Sequence, residues 1–333
     1  MENVRVQRPR LSYAAVAVMA SFVVSAGNAY AYPDEPIELV VSYASGGISD
    51  VMARSFAHAL EQQIDGNVVV QNRPGAAGIV GTNHVFNADP SGHTLLLARI
   101  ATMSVAPALQ EVPYDTEDFS VVGLLATDPY ACVTGTRKPY ETLDDLKEAI
   151  QEKPGSVTYS SSGVGSLNQF GALRLLELLD VGDAKTAANH VPYGGEGPAL
   201  TAVAGGHIDF FCGNIAPILP QIQSGTVRGL VVAADERHPD MPDVPVAAEV
   251  GVPDYAEVVG WSAIIAPPNT DDAAIEALGE AMQKIKNNEE WNEQIIKLGA
   301  VPDIRSPEET AEFIQDQTAL YREMVERLDL KAK

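Results

Sequence analysis

Short apolar runs alternate with amphipathic stretches along the chain from residue 37 onward. Uninterrupted Val, Leu and Ile runs are typical of strands buried on both faces, and apolar residues spaced by three and four are typical of helices. The first part of the pattern predicts strands at 37–41, 68–70, 94–98 and 121–126, with a helix at 49–64 after the first. This βαβ rhythm predicts a mostly parallel sheet with helices on both faces.

A second unit of the same kind begins near Asp128 and Pro129. Its pattern predicts strands at 157–159, 208–212 and 227–233, a helix at 166–179, and a short helix that starts with Gly197 and Pro198. A strand at 258–268 and three closing helices follow, capped first by Thr270 and last by a capping box that Ser306 opens, with Pro307 at its first helical position. The sequence therefore predicts an α/β protein.

We predict two domains that pack around a cleft, because no flexible linker separates the two units and domain interfaces are where small ligands bind. The first domain comprises residues 32–127 and 234–333, and the second comprises residues 128–233. Hinges are expected where the chain crosses between them, at 126–127 and 233–234.

The first thirty-one residues have the pattern of an export signal. Arg5, Arg8 and Arg10 precede an uncharged apolar run at 11–26, and Ala29-Tyr30-Ala31 forms a small-x-small cleavage site. The alternative is a membrane anchor, but this run is shorter than the roughly 20 residues that a spanning helix needs. We expect cleavage after Ala31 and a periplasmic location.

The net charge of the chain makes nucleic acid an improbable partner, while the state of its two cysteines cannot be decided from the sequence. The net charge is −23 and no basic patch is present, so nucleic acid is not an expected partner. Cys132 and Cys212 both lie in apolar, strand-like runs. They are either a disulfide, which an oxidising compartment would allow, or two buried thiols; the sequence does not show whether they lie close enough to pair.

Motifs for catalysis are missing from the sequence. It contains neither a G-x-S-x-G elbow nor a Walker phosphate loop, and its six histidines are scattered without metal-ligand spacing. We therefore expect no cofactor, no metal and no enzymatic activity. The alternative is an exported hydrolase or lyase acting on a carboxylate, with Ser45 or a serine of 160–162 as nucleophile, although no base stands at a recognisable spacing.

Two loops rich in Gly and Ser carry the binding hypothesis. One covers 42–50 and the other 160–166, and each joins the end of a strand to the start of a helix. Backbone N–H groups are free at a helix start and the helix dipole is positive there, so such a place can hold a carboxylate without Lys or Arg. The alternative is ordinary capping, by Ser49 or Asp50 in the first loop and by Ser166 in the second.

Two polar residues follow strands at the same sheet edge, where open α/β sheets bind their ligands. Arg99 follows the third strand and is either a bidentate partner for a ligand carboxylate or an arginine paired with an acid of this acidic chain. Asn214 follows the strand at 208–212 and either binds ligand or makes a turn.

The chain resembles the Bug family, the substrate-binding proteins of tripartite tricarboxylate transporters. The similarity covers nearly everything after Ala31 and consists of an ordered set of segments. These are Tyr32-Pro-Asp-Glu-Pro-Ile37, Gly46-Gly-Ile-Ser-Asp50, Asn72-Arg-Pro-Gly-Ala-Ala-Gly78, Asp89-Pro-Ser-Gly-His-Thr-Leu-Leu-Leu97, Pro113-Tyr-Asp115 with Asp118-Phe119, Val191-Pro-Tyr193 with Gly197-Pro-Ala199, Gly205-Gly-His-Ile-Asp209, and Pro242-Asp-Val-Pro245 with Glu249-Val-Gly251.

The resemblance implies a periplasmic Venus-flytrap receptor of type II-like fold, with a mixed, mostly parallel sheet flanked by helices in each domain. It also implies capture of a small organic carboxylate, a dicarboxylate or a related acid, and delivery to the permease subunits of a membrane transporter. We expect the receptor to act as a monomer; a sensor that feeds a signalling partner is an alternative. The expected ligand-binding residues are Tyr43, Ser45, Gly46, Gly47, Ser49, Asp50, Arg99, Ala101, Thr102, Ser161, Ser162, Gly163, Gly165, Ser166, Asn168, Tyr193 and Asn214.

The chain departs from the family pattern beside the expected cleft. Tyr43-Ala44-Ser45 replaces the usual proline-rich lead into the first loop, Asn168 replaces a His, and Gly194 replaces a common Lys. Arg99 stands where small or hydroxyl residues are more usual. Our hypothesis is that the cationic contact has moved to Arg99; unchanged ligand affinity in an Arg99→Ala variant would contradict it.

Overall fold

The computed structural model describes residues 32–331 as one mixed sheet covered by helices. The predicted export signal lies outside the described residues. The first part of the chain forms β1 (Ile37–Val41), α1 (Ile48–Glu61), β2 (Val68–Asn72), α2 (Ile79–Phe86), β3 (Thr94–Arg99), α3 (Ala106–Leu109) and β4 (Phe119–Gly135). A 3-10 turn at Ala76–Gly78 precedes α2, and a π-helical turn at Ala101–Val105 precedes α3.

The rest of the described chain adds six strands and eight helices. They are α4 (Leu143–Glu152), β5 (Val157–Ser161), α5 (Leu167–Leu178), α6 (Ala184–Ala187), β6 (Ala188–Pro192), α7 (Glu196–Ala204), β7 (Phe210–Asn214), α8 (Ile215–Gln223), β8 (Val227–Ala233), β9 (Val259–Pro268), α9 (Asp272–Ile285), α10 (Glu289–Lys297), β10 (Val301–Pro302) and α11 (Pro307–Arg327), with 3-10 turns at Ala247–Val250 and Pro253–Glu257. The short helix predicted to start at Gly197 begins earlier, with Gly195 as its N-cap. The capping box at Ser306 is present as predicted.

The strand β4 joins two halves of the sheet. Its first part, up to Pro129, pairs antiparallel with β9, and its second part, from Tyr130, pairs antiparallel with β7 and β8. Pro129 has no N–H to donate, and the β9 ladder ends at the pair Pro129–Val259. The sequence pattern predicted a strand ending near residue 126; instead one strand runs through the predicted boundary at Asp128.

We call the two halves lobe 1 and lobe 2. The sheet of lobe 1 consists of β2, β1, β3, β9, β10 and the first part of β4, and the sheet of lobe 2 consists of the second part of β4 with β5, β6, β7 and β8. In lobe 1, β2, β1 and β3 run parallel, and in lobe 2, β6, β5 and β7 do so. These parallel strands carry the loops of interest at their carboxyl ends.

Helices cover both faces of the sheet, which explains why strands such as β1 and β3 are apolar on both faces. Alternate residues point to opposite faces of a strand, and in β3 Leu95 and Leu97 pack in one core cluster while Leu96 packs in another. One cluster extends through both lobes and includes Phe170 of lobe 2, whose ring packs edge-on against Tyr321 of α11. The last helix therefore contacts both lobes.

The chain returns from lobe 2 to lobe 1 after a long segment at 234–258. This segment contacts lobe 2, because Val246 bridges to Val232 of β8 and the Tyr255 hydroxyl lies 2.9 Å from the sulfur of Cys132. These contacts favour a return crossing at the start of β9. The domain limits stay a prediction, since contacts alone do not define which segments move together.

A disulfide crosslinks the strands of lobe 2 that lead toward the cleft. Cys132 of β4 and Cys212 of β7 are direct partners in the antiparallel register, and both are fully buried. Of the two interpretations that the sequence left open, the structure shows the disulfide.

We expect the double variant Cys132→Ala/Cys212→Ala to lose about 2–4 kcal/mol of unfolding free energy, because a crosslink across a long loop restricts the unfolded chain. Denaturant unfolding measures this difference. A reductant should lower the unfolding free energy of the wild type and leave that of the double variant unchanged. Equal stability of both proteins under oxidising conditions would contradict the prediction.

Candidate ligand-binding site

The first Gly-Ser loop is held in place by Asp50. This carboxylate accepts hydrogen bonds from the Gly46 N–H (2.9 Å), the Ser45 hydroxyl (3.3 Å) and the guanidinium of Arg54. The Arg54 contact, together with the bond from Gly46, lowers the pKa of Asp50 to about 2, against the effect of burial. Asp50 is thus ionised and engaged with its own loop, while Gly46 and Gly47 are exposed.

The start of α1 offers free N–H groups beside this loop. Gly47 is the N-cap and supplies no side-chain acceptor, so capping by Ser49 or Asp50 is not what the structure shows. The N–H groups of the first helical turn have no intrahelical acceptor, as in any α-helix. Across residues 32–331 the hydroxyl of Ser49 makes no hydrogen bond. These are the donors that a carboxylate needs.

Tyr43 and Thr102 both pack against Gly78. A Cβ built on Gly78 would meet Thr102 Cγ2 at 2.7 Å and the Tyr43 ring at 3.2 Å, and Gly78 has a positive φ of 101°, so only glycine fits between them. Burial raises the pKa of Tyr43, and the charge of Arg99 opposes this. Within the described part of the chain no partner binds the Tyr43 hydroxyl, which leaves it available as a donor.

Arg99 is paired with protein groups close to the predicted crossing at 126–127. Its guanidinium donates to the Asp128 carboxylate at 2.9 Å and to the hydroxyl of Ser262, the residue opposite it on β9. Only 19% of the Arg99 side chain is exposed. Of the two interpretations of Arg99, the pairing with an acid is present; its contact with a ligand stays a prediction.

The second Gly-Ser loop is held by its own side chains. Ser161, at the end of β5, contacts His190 Nε2 at 2.6 Å and donates to the Gly163 carbonyl, and its carbonyl accepts from the Tyr193 N–H. Ser166 caps α5 by accepting from the Gln169 N–H, which is the capping alternative predicted for it. Ser162 donates to the side-chain oxygen of Asn168.

Asn168 and Asn214 are brought together by a residue that the sequence pattern did not single out. The carboxylate of Glu196, the first residue of α7, accepts from the side-chain amides of Asn168 and Asn214, both at 3.1 Å, and from the Asn214 N–H at 2.8 Å. A Cβ on Gly213 would lie 2.4 Å from the Glu196 Oε1, so the glycine makes room for this carboxylate. The available signal was an acidic residue at the start of a helix in a Gly-rich segment.

A cavity of about 330 Å³ lies between the lobes. Lobe 1 lines it with Ala77, Ala101 and the helix α3, and lobe 2 lines it with Val164, Gly165 and Gln169 of the second loop and α5. Of the expected ligand-binding residues, Ala101 and Gly165 border this space. Its size suits a small molecule.

A larger groove of about 860 Å³ lies elsewhere, between α11 and the segment after β8. It contains none of the expected ligand-binding residues, and both acidic and basic side chains line it, among them Arg237 and Asp303. We take the gap between the lobes, of which the smaller cavity is one part, as the candidate site, because the second loop borders this cavity and both lobes contribute to it.

Sequence and structure comparisons agree on one family. Its model, described as tripartite tricarboxylate transporter family receptor, matches residues 52–330. The chain belongs to this family. It is 32% identical to BugT of Bordetella pertussis, over 96% of this chain and 98% of BugT.

Two solved receptors show the same fold. The periplasmic binding protein BugD has a TM-score of 0.68 at 27% identity, covering 91% of this chain and all of BugD. Malate-bound MatC of Rhodopseudomonas palustris has a TM-score of 0.69 at 28% identity, covering 88% of this chain and all of MatC. The predicted family and the two-domain α/β binding-protein fold are confirmed.

The family and the fold are those of a solute receptor, which is not an enzyme. The second loop nevertheless holds a serine and a base within hydrogen-bonding distance, Ser161 and His190. Burial lowers the pKa of His190, which stacks on Tyr159 with ring centroids 4.9 Å apart. Ser161 is fully buried, so its hydroxyl is not accessible to a substrate. The pair stabilises the loop.

The described residues also bear on metals and membranes. Between residues 32 and 331 no group of His, Cys, Asp and Glu is arranged to hold a metal ion. None of the helices in this range has the length and hydrophobicity needed to cross a bilayer.

We expect Arg99→Ala to lower the unfolding free energy by about 3 kcal/mol, because it leaves the buried Asp128 carboxylate without its cation. Adding Asp128→Asn should restore more than half of the loss, since a neutral amide is less costly to bury than a carboxylate. Thermal unfolding of the wild type, both single variants and the double variant measures the coupling. A double variant no more stable than Arg99→Ala would contradict this account.

Proposed function

We propose that this receptor binds a small carboxylate, a dicarboxylate or a related organic acid, between its lobes and delivers it to the permease of a tripartite tricarboxylate-type transporter. The observation that carries the proposal is the position of the two Gly-Ser loops. Each follows the carboxyl end of a parallel strand, one in each lobe, and precedes a helix of twelve or more residues. The solved relative MatC, bound to malate, supports this ligand class.

Backbone donors suit this acidic chain. A surface with a net charge of −23 repels anions at long range, so affinity for an anion depends on local geometry. The free N–H groups at the start of α1, the Tyr43 hydroxyl and the Ser49 hydroxyl provide neutral donors on lobe 1. Closure of the lobes would bring the second loop over the bound acid and exclude water, which strengthens these hydrogen bonds.

We also propose that residues 1–31 direct export and are removed. The disulfide between Cys132 and Cys212 supports an oxidising compartment such as the periplasm.

Protein recovered from the periplasmic fraction of an expressing cell should begin at Tyr32, because cleavage is expected after the small residue Ala31. N-terminal sequencing or intact mass measures this. A variant with Ala29→Arg and Ala31→Arg should keep its leader and serve as the control. Wild-type protein that retains residues 1–31 in this fraction would contradict the proposal.

A thermal-shift and calorimetric screen of organic acids tests the binding proposal. An acid at about 100 times its dissociation constant should stabilise the wild type by about 2.7 kcal/mol, because it binds only the folded state. The acid should be recovered unchanged. Conversion to product would support the hydrolase or lyase alternative, and no stabilisation by any carboxylate would contradict the proposal.

The variant Tyr43→Phe is the site control for this screen. Removing a donor to a charged group should weaken binding about tenfold. Tyr32→Phe is the matched variant elsewhere, because its hydroxyl donates to the Gly92 carbonyl at 2.7 Å. That variant should lose stability and keep ligand affinity.

A further inference from the structure

We infer that Glu196 is a specificity residue, and that the ligand carries a cationic nitrogen, such as an ammonium group, in addition to its carboxylate. This inference rests on the proposed function, because it names a second group on the same ligand. It concerns the part of lobe 2 formed by Glu196, Asn168 and Asn214.

The Glu196 carboxylate uses the donors that the sequence assigned to an anionic ligand. The side-chain amides of Asn168 and Asn214 point their N–H groups at Glu196, and the Asn168 amide also donates to the Cys212 carbonyl at 3.1 Å. Asn168 is only 3% exposed, so these bonds are not replaced by water. A ligand carboxylate placed here would meet a carboxylate rather than free amide donors.

Glu196 has no cation of its own in the described part of the chain. No salt bridge within residues 32–331 includes it, although most other partly buried acids in this protein have one; Asp128 pairs with Arg99 and Asp209 with Lys138. Its three donors are neutral amides. Its Oε2 accepts a single hydrogen bond from the protein, so it retains acceptor capacity. A half-buried carboxylate with neutral partners attracts a cation.

Glu196 and Arg99 lie on opposite sides of the hinge. Arg99 of lobe 1 binds Asp128 on β4, and Tyr130, two residues further along the strand, is the register partner of Asn214, which binds Glu196. Residues i and i+2 of a strand lie on the same face, about 7 Å apart. The strand register thus places Glu196 near the pair of Arg99 and Asp128, whose charges offset each other, so the Glu196 carboxylate is the charge left uncompensated there among the described residues, and it matches a cationic group on the ligand.

A purely structural role for Glu196 is the alternative, since it ties the loop before α8 to α7. Glu196→Gln separates the two roles. The amide oxygen of Gln can accept the two N–H groups that Oε1 accepts, from the Asn168 side chain and the Asn214 backbone, while the single bond to Oε2 and the negative charge are lost. If Glu196 is only structural, the variant should change the stability of the protein and should alter its affinity for every ligand by the same factor. If Glu196 sets specificity, the variant should change the ratio of affinities between ligands that differ only in an ammonium group.

The experiment compares three matched ligand pairs by calorimetry: succinate with L-aspartate, glutarate with L-glutamate, and butyrate with 4-aminobutyrate. In the wild type, the aminated member of the pair that binds best should bind about tenfold more tightly than its partner, as expected for a hydrogen bond between an ammonium group and a half-buried carboxylate. Glu196→Gln should lower this ratio at least tenfold. Glu276→Gln, which removes an exposed charge on α9, should leave the ratio unchanged.

Two results would overturn the inference. One is a wild type that binds the unaminated acid of every pair as tightly as its aminated partner, or more tightly, which leaves the proposed function intact. The other is an unchanged ratio in a folded Glu196→Gln variant, confirmed by Glu196→Ala. Absence of binding by any of the six acids and by all acids of the screen would remove the proposed function along with the inference.

Discussion

The continuity of β4 is the constraint on which the rest of the structure depends. One strand of seventeen residues supplies partners to both halves of the sheet, so a single continuous strand joins the two lobes. Pairing changes from β9 to β7 and β8 around Pro129, where the missing N–H ends one ladder.

The candidate site is built around this strand. The parallel strands β1 and β5 lie on opposite sides of β4 in the sheet order and bring one Gly-Ser loop each to the gap between the lobes. Asp128 and Tyr130, on β4 itself, connect Arg99 of lobe 1 with Asn214 of lobe 2. Many polar side chains near the gap are hydrogen-bonded to other protein groups. The groups left for a ligand are backbone N–H donors on lobe 1 and the Glu196 carboxylate, an acceptor, on lobe 2.

The sequence predicted much of the local structure because local structure depends on local periodicity. Apolar runs identified β1, β3, β8 and β9, and the capping box at Ser306 identified the start of α11. It did not predict that β4 continues past Asp128, since Asp and Pro are turn residues in most contexts and only the partner strands override them. It also gave no weight to Glu196, whose contact with Asn214 depends on how α7 packs against the end of β7.

By itself, the sequence determined the α/β class, the two Gly-Ser loops and the family resemblance, because each is carried by residues close together or in fixed order along the chain. Tertiary structure alone decided which charges pair. Arg99 and Asp128 are 29 residues apart, and the cysteines are 80 residues apart, so their contacts follow from strand register. Register is set by the packing of whole strands, and that packing made the cysteines a disulfide and left Glu196 without a cation among the described residues.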